Sequence, residues 1–130
     1  MKIVDLLKRE SVELNGKVTS KPEAIEKMVA LMAAGGNLAD VEAYKKGVFA
    51  REEESTTGIG EGIAIPHAKT AAVKAPGLAA MVVKDGVDYD SLDGEPAKLI
   101  FLIAAPDTED NVHLEVLSRL SMLLMDPDFR

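Results

Sequence analysis

Two stretches, Leu78 to Val83 and Leu99 to Ala104, are near-continuous apolar runs with turn-forming residues between them. They are far too short to cross a bilayer, and they lack the alternation of a half-buried strand, so they read as strands buried on both faces. The remaining chain supplies the helices that such a sheet needs as cover. Ser20 reads as an N-cap with Pro22 in the first turn; Ile25, Met28, Val29 and Met32 follow at helical spacing, and Gly35-Gly36 ends the helix. A second helix begins after Asp40, with Val41, Tyr44 and Val48 on one face, and runs out in the charged stretch Arg51 to Glu54. Asp110 or Asn111 caps a last helix whose stripe holds Val116, Leu117, Leu120 and Leu124. Shorter pieces complete the reading. Ile3 to Leu7 fits a short amphipathic helix, and Val12 and Leu14 a strand stopping at Asn15-Gly16. Thr56 to Gly62 reads as a flexible polar loop, Ile63-Ala64-Ile65 as a strand that Pro66 terminates, and Gly86 and Ser91 to Gly94 as turns. The expected class is α/β, with helices covering a small sheet.

At 130 residues, without repeats, low-complexity tracts or linkers, the chain is expected to be a single domain over 1–130. It stops at Asp126 to Arg130, where a further helix could begin. The expectation is that the domain's C-terminal helix is missing and that the chain is cut from a longer multidomain protein. The opening MKIVDLLKRE is not a signal peptide and no apolar run is of membrane-spanning length, so a cytoplasmic location is expected. The absence of cysteine excludes disulfides, thiolate metal sites and thiol catalysis. A formal net charge of −7 argues against binding nucleic acid, whose phosphates need a basic surface.

The reactive inventory is short. Gly58, Gly60 and Gly62 are spaced G-x-G-x-G ahead of a strand, not as a dinucleotide fingerprint behind one, and neither a P-loop nor a G-x-S-x-G elbow is present. The two histidines lack zinc-ligand spacing, and Asp85, Asp88, Asp90 and Asp93 lack the pattern of a calcium loop, so no metal is expected. His67 follows Pro66, which cannot continue a ladder and so presents the next side chain at the rim of the sheet, where α/β proteins place their sites. Backbone N–H groups of the upstream Thr/Gly stretch offer a nest for a phosphate. On spacing alone, a solvated loop histidine after a turn proline fits at least as well. His113 shares its helical face with Val116, Leu117, Leu120 and Leu124, which aims it inward from an anion-attracting first turn; a structural histidine bonded to a carbonyl is the alternative. Arg51 has the planar charge suited to phosphate, or pairs with Glu52 to Glu54 at the surface. The glutamate run itself reads as a solvated helix end.

At this point the residues resemble a known family. Ser55-Thr56-Thr57-Gly58-Ile59-Gly60-Glu61-Gly62-Ile63-Ala64-Ile65-Pro66-His67-Ala68-Lys69 is similar to the active-site signature of the fructose/mannitol class of enzyme IIA domains of the bacterial phosphoenolpyruvate-dependent sugar phosphotransferase system. Gly86 to Gly94, Leu102 to Pro106, His113-Leu114 and Leu117 to Ser121 resemble the fructose branch more than the mannitol one. The resemblance covers essentially the whole chain. It implies a three-layer α/β/α sandwich with a small mixed sheet. It also implies that a phosphoryl group from the phosphocarrier HPr is taken up on a ring nitrogen of His67 and passed to a cysteine of an enzyme IIB domain. His113 matches the second active-site histidine, and Arg51 an arginine near the phosphoryl site.

The two lines of reasoning give the same roles: His67 as nucleophile, with Arg51, His113 and the backbone around Thr56, Thr57, Gly58, Gly60, Glu61 and Gly62 as oxyanion donors. Glu61 orients that loop or a ring N–H, or is an exposed loop charge. Because the donor is itself a phosphoprotein, no cofactor or metal is expected, and the membrane is reached only indirectly, through enzyme IIC. A regulatory protein of the nitrogen-related enzyme IIA type is the second reading, which Gly86 to Gly94 disfavours; a ligand-binding module without transfer is the third.

Overall fold

The protein is described here by a computed structural model covering residues 7–107. Its elements are β1 (Leu7–Glu13), α1 (Lys21–Ala34), α2 (Val41–Glu54), β2 (Gly58–Gly60), β3 (Ile63–Ala64), β4 (His67–Lys69), β5 (Gly77–Val87) and β6 (Ala97–Ala105). The helix expected after Asp110, with His113 in its first turn, lies outside the described residues, as does the start of the amphipathic segment Ile3 to Leu7. Leu7 itself opens a strand.

The two apolar runs form the antiparallel pair β5–β6 at the centre of a mixed sheet, and their side chains divide with a period of two. Ala79, Met81, Val83, Ile100, Leu102 and Ala104 join the cluster under the helices, whereas Leu78, Ala80, Phe101 and Ile103 join Ile63 and Ile65 in a second cluster on the opposite face. Both faces are therefore buried, as the unbroken hydrophobicity requires. Strand order is β1-β5-β6-β3-β2, with β1 parallel to β5 and β3 parallel to β6.

Both helices cover one face. Ser20 caps α1 by accepting from the Glu23 N–H, and Pro22 sits in the first turn. The stripe Ile25, Met28, Val29 and Met32 is buried, and Gly35 follows as the C-cap. Asp40 caps α2 in the same way, and Tyr44 and Val48 face the core. Val41, expected on that face, is 40% exposed and points to solvent. Leu14, expected in the first strand, lies just beyond β1 and is exposed.

Thr56 to Gly62 is not a loose loop. Its Gly58–Gly60 is strand β2, which pairs antiparallel with the expected strand at Ile63–Ala64, β3, and the turn between them takes Gly60, Glu61 and Gly62 through positive φ angles of 100°, 57° and 80°. Glycine meets that demand without a Cβ penalty at two of the three positions.

Candidate active site

His67 stands where the row of strands beside β6 breaks and resumes. Strands β3 and β4 pair in succession with the same side of β6: Ile63 and Ala64 lie opposite Leu99 and Ile100, then His67 opposite Ile103. Between them, Pro66 has no N–H to give, but its carbonyl accepts from the Ile103 N–H at 3.0 Å, so the chain is held without a ladder donor. The His67 ring is half-buried, and its Nδ1 lies 2.9 Å from the Ile65 carbonyl oxygen. A carbonyl can only accept, so Nδ1 carries the proton and the Nε2 lone pair is left for chemistry.

The last turn of α2 crosses this rim. Gly47, Ala50, Arg51 and Glu54 from the helix, with His67, Ala68 and Lys69 from β4, line a cavity of about 370 Å³. Its position is fixed by Tyr44, whose buried hydroxyl donates to the Ile103 carbonyl at 2.8 Å, tying α2 to the residue that faces His67 across the sheet. Burial without a charged partner pushes the Tyr44 phenol far above its ordinary ionisation range. Arg51 donates from Nη1 to the Ser55 carbonyl at 3.0 Å and to the Ser55 hydroxyl at 3.4 Å, and its Nε lies 3.8 Å from the Glu54 carboxylate. Arg51 and His67 thus share one cavity, far apart in sequence as they are.

The glycine hairpin is placed differently from the expected phosphate cradle. Gly62 accepts from the N–H groups of Lys98 and Leu99, whereas Pro66 accepts from Ile103. Those anchor points are four residues apart on β6, roughly 13 Å at the rise of a strand, so the turn at Gly60, Glu61 and Gly62 sits towards the other end of the sheet. Three of the expected donors are also engaged. The Thr57 N–H donates to Glu52 at 3.1 Å, the Gly58 N–H to the Thr56 hydroxyl at 3.1 Å, and the Glu61 N–H to Asp93 at 2.9 Å. Backbone groups drawn into a fold need partners there, and these three N–H groups find theirs within the protein. The Thr56 and Thr57 hydroxyls turn towards Tyr89 and Glu52.

Glu52 is the residue that sequence reasoning missed. Its side chain is only 5% exposed, not solvated as expected for the glutamate run. It forms a 3.0 Å ion pair with Lys21 and accepts from both the N–H and the hydroxyl of Thr57. Lys21 also lies 4.7 Å above the Tyr89 ring, and the Tyr89 hydroxyl is 3.4 Å from that of Thr57. Burial, and secondarily the Glu52 charge, pushes the Tyr89 phenol far up. The Thr57 carbonyl in turn accepts from the Ile65 N–H at 2.9 Å, so the network ends one residue short of Pro66. A signal existed: Tyr44, Val48 and Glu52 are spaced by four, so Glu52 continues the buried stripe of α2. Among the described residues, no group of three or more His, Cys, Asp or Glu side chains could hold a metal ion.

With this geometry in view, comparison with known proteins decides the family. Residues 5–130 match the family described as the phosphoenolpyruvate-dependent sugar phosphotransferase system, EIIA 2. The chain belongs to that family. It is 52% identical over 130 residues to the fructose-specific EIIABC component of the phosphotransferase system from Bacillus subtilis, covering 100% of this chain and 20% of that protein. It is 41% identical over 121 residues to the fructose-specific EIIA component of Haloferax volcanii, covering 93% of this chain and 79% of that one. The chain therefore spans about a fifth of the first relative and most of the second. Among solved structures, nitrogen regulatory protein IIA-Ntr from Neisseria meningitidis superposes with a TM-score of 0.83 at 30% identity, covering 95% of this chain and 84% of that one. The complex of enzyme IIAMTL and phosphorylated enzyme IIBMTL from Escherichia coli aligns with a TM-score of 0.79 at 28% identity, covering 93% and 84%. The α/β fold with its mixed sheet is that of these EIIA structures.

Proposed function

We propose that this EIIA domain is a phosphoryl carrier of a fructose-like sugar phosphotransferase system, with Nε2 of His67 as the acceptor atom. The observation that carries the reading is the Nδ1–H bond to the Ile65 carbonyl, inside the cavity that His67 shares with Arg51. It fixes the tautomer and aims the free lone pair without help from any general base.

In the first half-reaction the Nε2 lone pair attacks phosphorus in line. The P–N bond of an HPr-type phosphocarrier breaks, and its electron pair returns to the donor ring. His67 keeps its Nδ1 proton, and the positive character gained by the ring is spread towards the Ile65 carbonyl. In the second, a cysteine thiolate of an enzyme IIB domain attacks phosphorus, and the P–N electron pair returns to Nε2. Arg51 supplies charge to the phosphoryl oxygens once it turns from Ser55, and His113 is proposed as a second donor. The existence of an Escherichia coli complex between a related IIA and a phosphorylated IIB supports the recipient, and the 52% identity to a fructose-specific component supports the branch over the nitrogen-regulatory reading. The phosphocarrier donor rests on the family resemblance. The site then works on the cytoplasmic side, reaching the membrane only through enzyme IIC.

The test is incubation with phosphoenolpyruvate, enzyme I and HPr. An acid-labile, base-stable phosphate is expected on the wild-type chain and none on His67→Ala; label on the variant refutes the assignment.

A further inference from the structure

The cavity beside His67 contains a cation that the steps above leave unused. We propose that Lys69 is a catalytic residue of this site, its ammonium group binding the oxygens of the phosphoryl group as that group arrives on His67 and leaves again. This deepens the carrier reading and rests on it.

Position is the first argument. Lys69 is two residues beyond His67 on β4, so strand alternation sends both side chains to the same side, with Cα atoms about 6.6 Å apart. The placement is held by the backbone: His67, Ala68 and Lys69 pair in register with Ile103, Ala104 and Ala105, and the Thr70 N–H donates to the Ala105 carbonyl at 3.0 Å. A lysine stem spans that separation readily, and both residues line the one cavity.

Charge is the second. The Arg51 guanidinium is engaged by Ser55 and faces Glu54, which also lines the cavity, so those two side chains largely offset each other. Lys69 has no hydrogen-bonding or ion-pairing side-chain partner among the described residues, although it is half-buried. Among the described lining residues, its charge is what makes the balance positive before the phosphoryl group, bearing roughly −1.5 to −2, enters. An ammonium on a flexible stem presents three donors and can follow phosphorus from the incoming to the outgoing partner, keeping its protons throughout.

The experiment measures single-turnover phosphorylation of His67 by phospho-HPr for the wild type, Lys69→Gln, Lys69→Arg and the exposed control Lys74→Gln, which removes the same charge elsewhere. Loss of one charged donor in a half-exposed cavity is expected to slow Lys69→Gln by about 10-fold to 100-fold at saturating phospho-HPr, less than the loss of a preorganised donor would. Lys69→Arg should recover most of the rate, and Lys74→Gln should match the wild type. A Lys69→Gln rate within about twofold of wild type overturns the proposal, as does a rise in KM for the phosphocarrier at unchanged kcat, which would make Lys69 a docking residue. If the wild type itself takes no phosphate on His67, the carrier reading falls and this inference with it; a phosphorylated wild type with an unaffected Lys69→Gln overturns the inference alone.

Discussion

A neutral imidazole has one proton to give, and at His67 it goes to the Ile65 carbonyl. The consequence is directly measurable. Two-bond proton–nitrogen correlation spectra should show His67 with Nδ1 protonated, and after phosphorylation the phosphorus should couple to Nε2. An Nε2-protonated ring in the free protein would contradict the geometry. At the same scale, Tyr44 donates its hydroxyl to the Ile103 carbonyl at 2.8 Å from a fully buried position. Tyr44→Phe keeps the ring and deletes one buried hydrogen bond, so chemical denaturation should show a loss of about 1 kcal/mol. Because that bond holds α2 against the strand position facing His67, phosphorylation should slow as well; full activity at reduced stability would make the tyrosine purely structural.

At the level of elements, the join between α2 and the β2–β3 hairpin depends on Glu52. Replacing it with alanine takes the carboxylate from the Lys21 ammonium, which keeps the Thr56 hydroxyl and the Tyr89 ring, and leaves the Thr57 N–H without its acceptor. Lys21 retains some solvent access, so a destabilisation of about 2 kcal/mol is expected, below that of a fully buried pair. Denaturant midpoints with an unchanged slope would establish it, and a shift under a few tenths of a kcal/mol would show the network to be ornamental. Helices α1 and α2 were legible in the sequence because Ser20, Asp40 and the stripe from Ile25 to Met32 are local signals. The runs that became β5 and β6 were legible because a strand buried on both faces needs no alternation. Of the hairpin, β3 was legible in the apolar Ile63-Ala64-Ile65 before Pro66, but β2 and the pairing were not, because a stretch of Thr and Gly carries no hydrophobic period and its backbone partners, Asp93 and Lys98, are more than thirty residues away. Local composition suggested a phosphate nest, whereas in the structure the N–H groups of Thr57 and Gly58 bond to nearby side chains and that of Glu61 to the distant Asp93. Arg51 and His67 were nameable as chemistry, but only the crossing of α2 over β4 brings them into one cavity.

For the molecule as a whole, the two tyrosines make a reporter of global unfolding. Both are fully buried, and burial raises both phenol ionisations far above the ordinary range. Their contribution to stability is complete below the unfolded tyrosine pKa near ~10 and declines as pH rises beyond it, since only the unfolded chain can ionise them there. Tyrosinate absorbance should therefore stay silent in alkali until the far-ultraviolet signal is lost, the two transitions coinciding; early tyrosinate formation would show that one ring is reachable in the native state. In acid the sign reverses for Asp93, whose carboxyl is held low chiefly by the N–H groups of Glu61 and Glu95. Its contribution is present above the ordinary carboxylate range and drains as pH falls through the lower folded value. Asp93→Asn should accordingly flatten the acid limb of the stability profile.

The broken edge on which His67 sits has a further consequence, for solubility. Under the proposed function this rim is offered to two protein partners in turn, and unpaired strand edge is where chains add to one another without limit. Here β4 is three residues long, is preceded by a proline that offers no hydrogen-bond donor, and ends in a lysine. Among the described residues, the features that set His67 at this rim also leave little bare ladder on β4 for a second copy to extend.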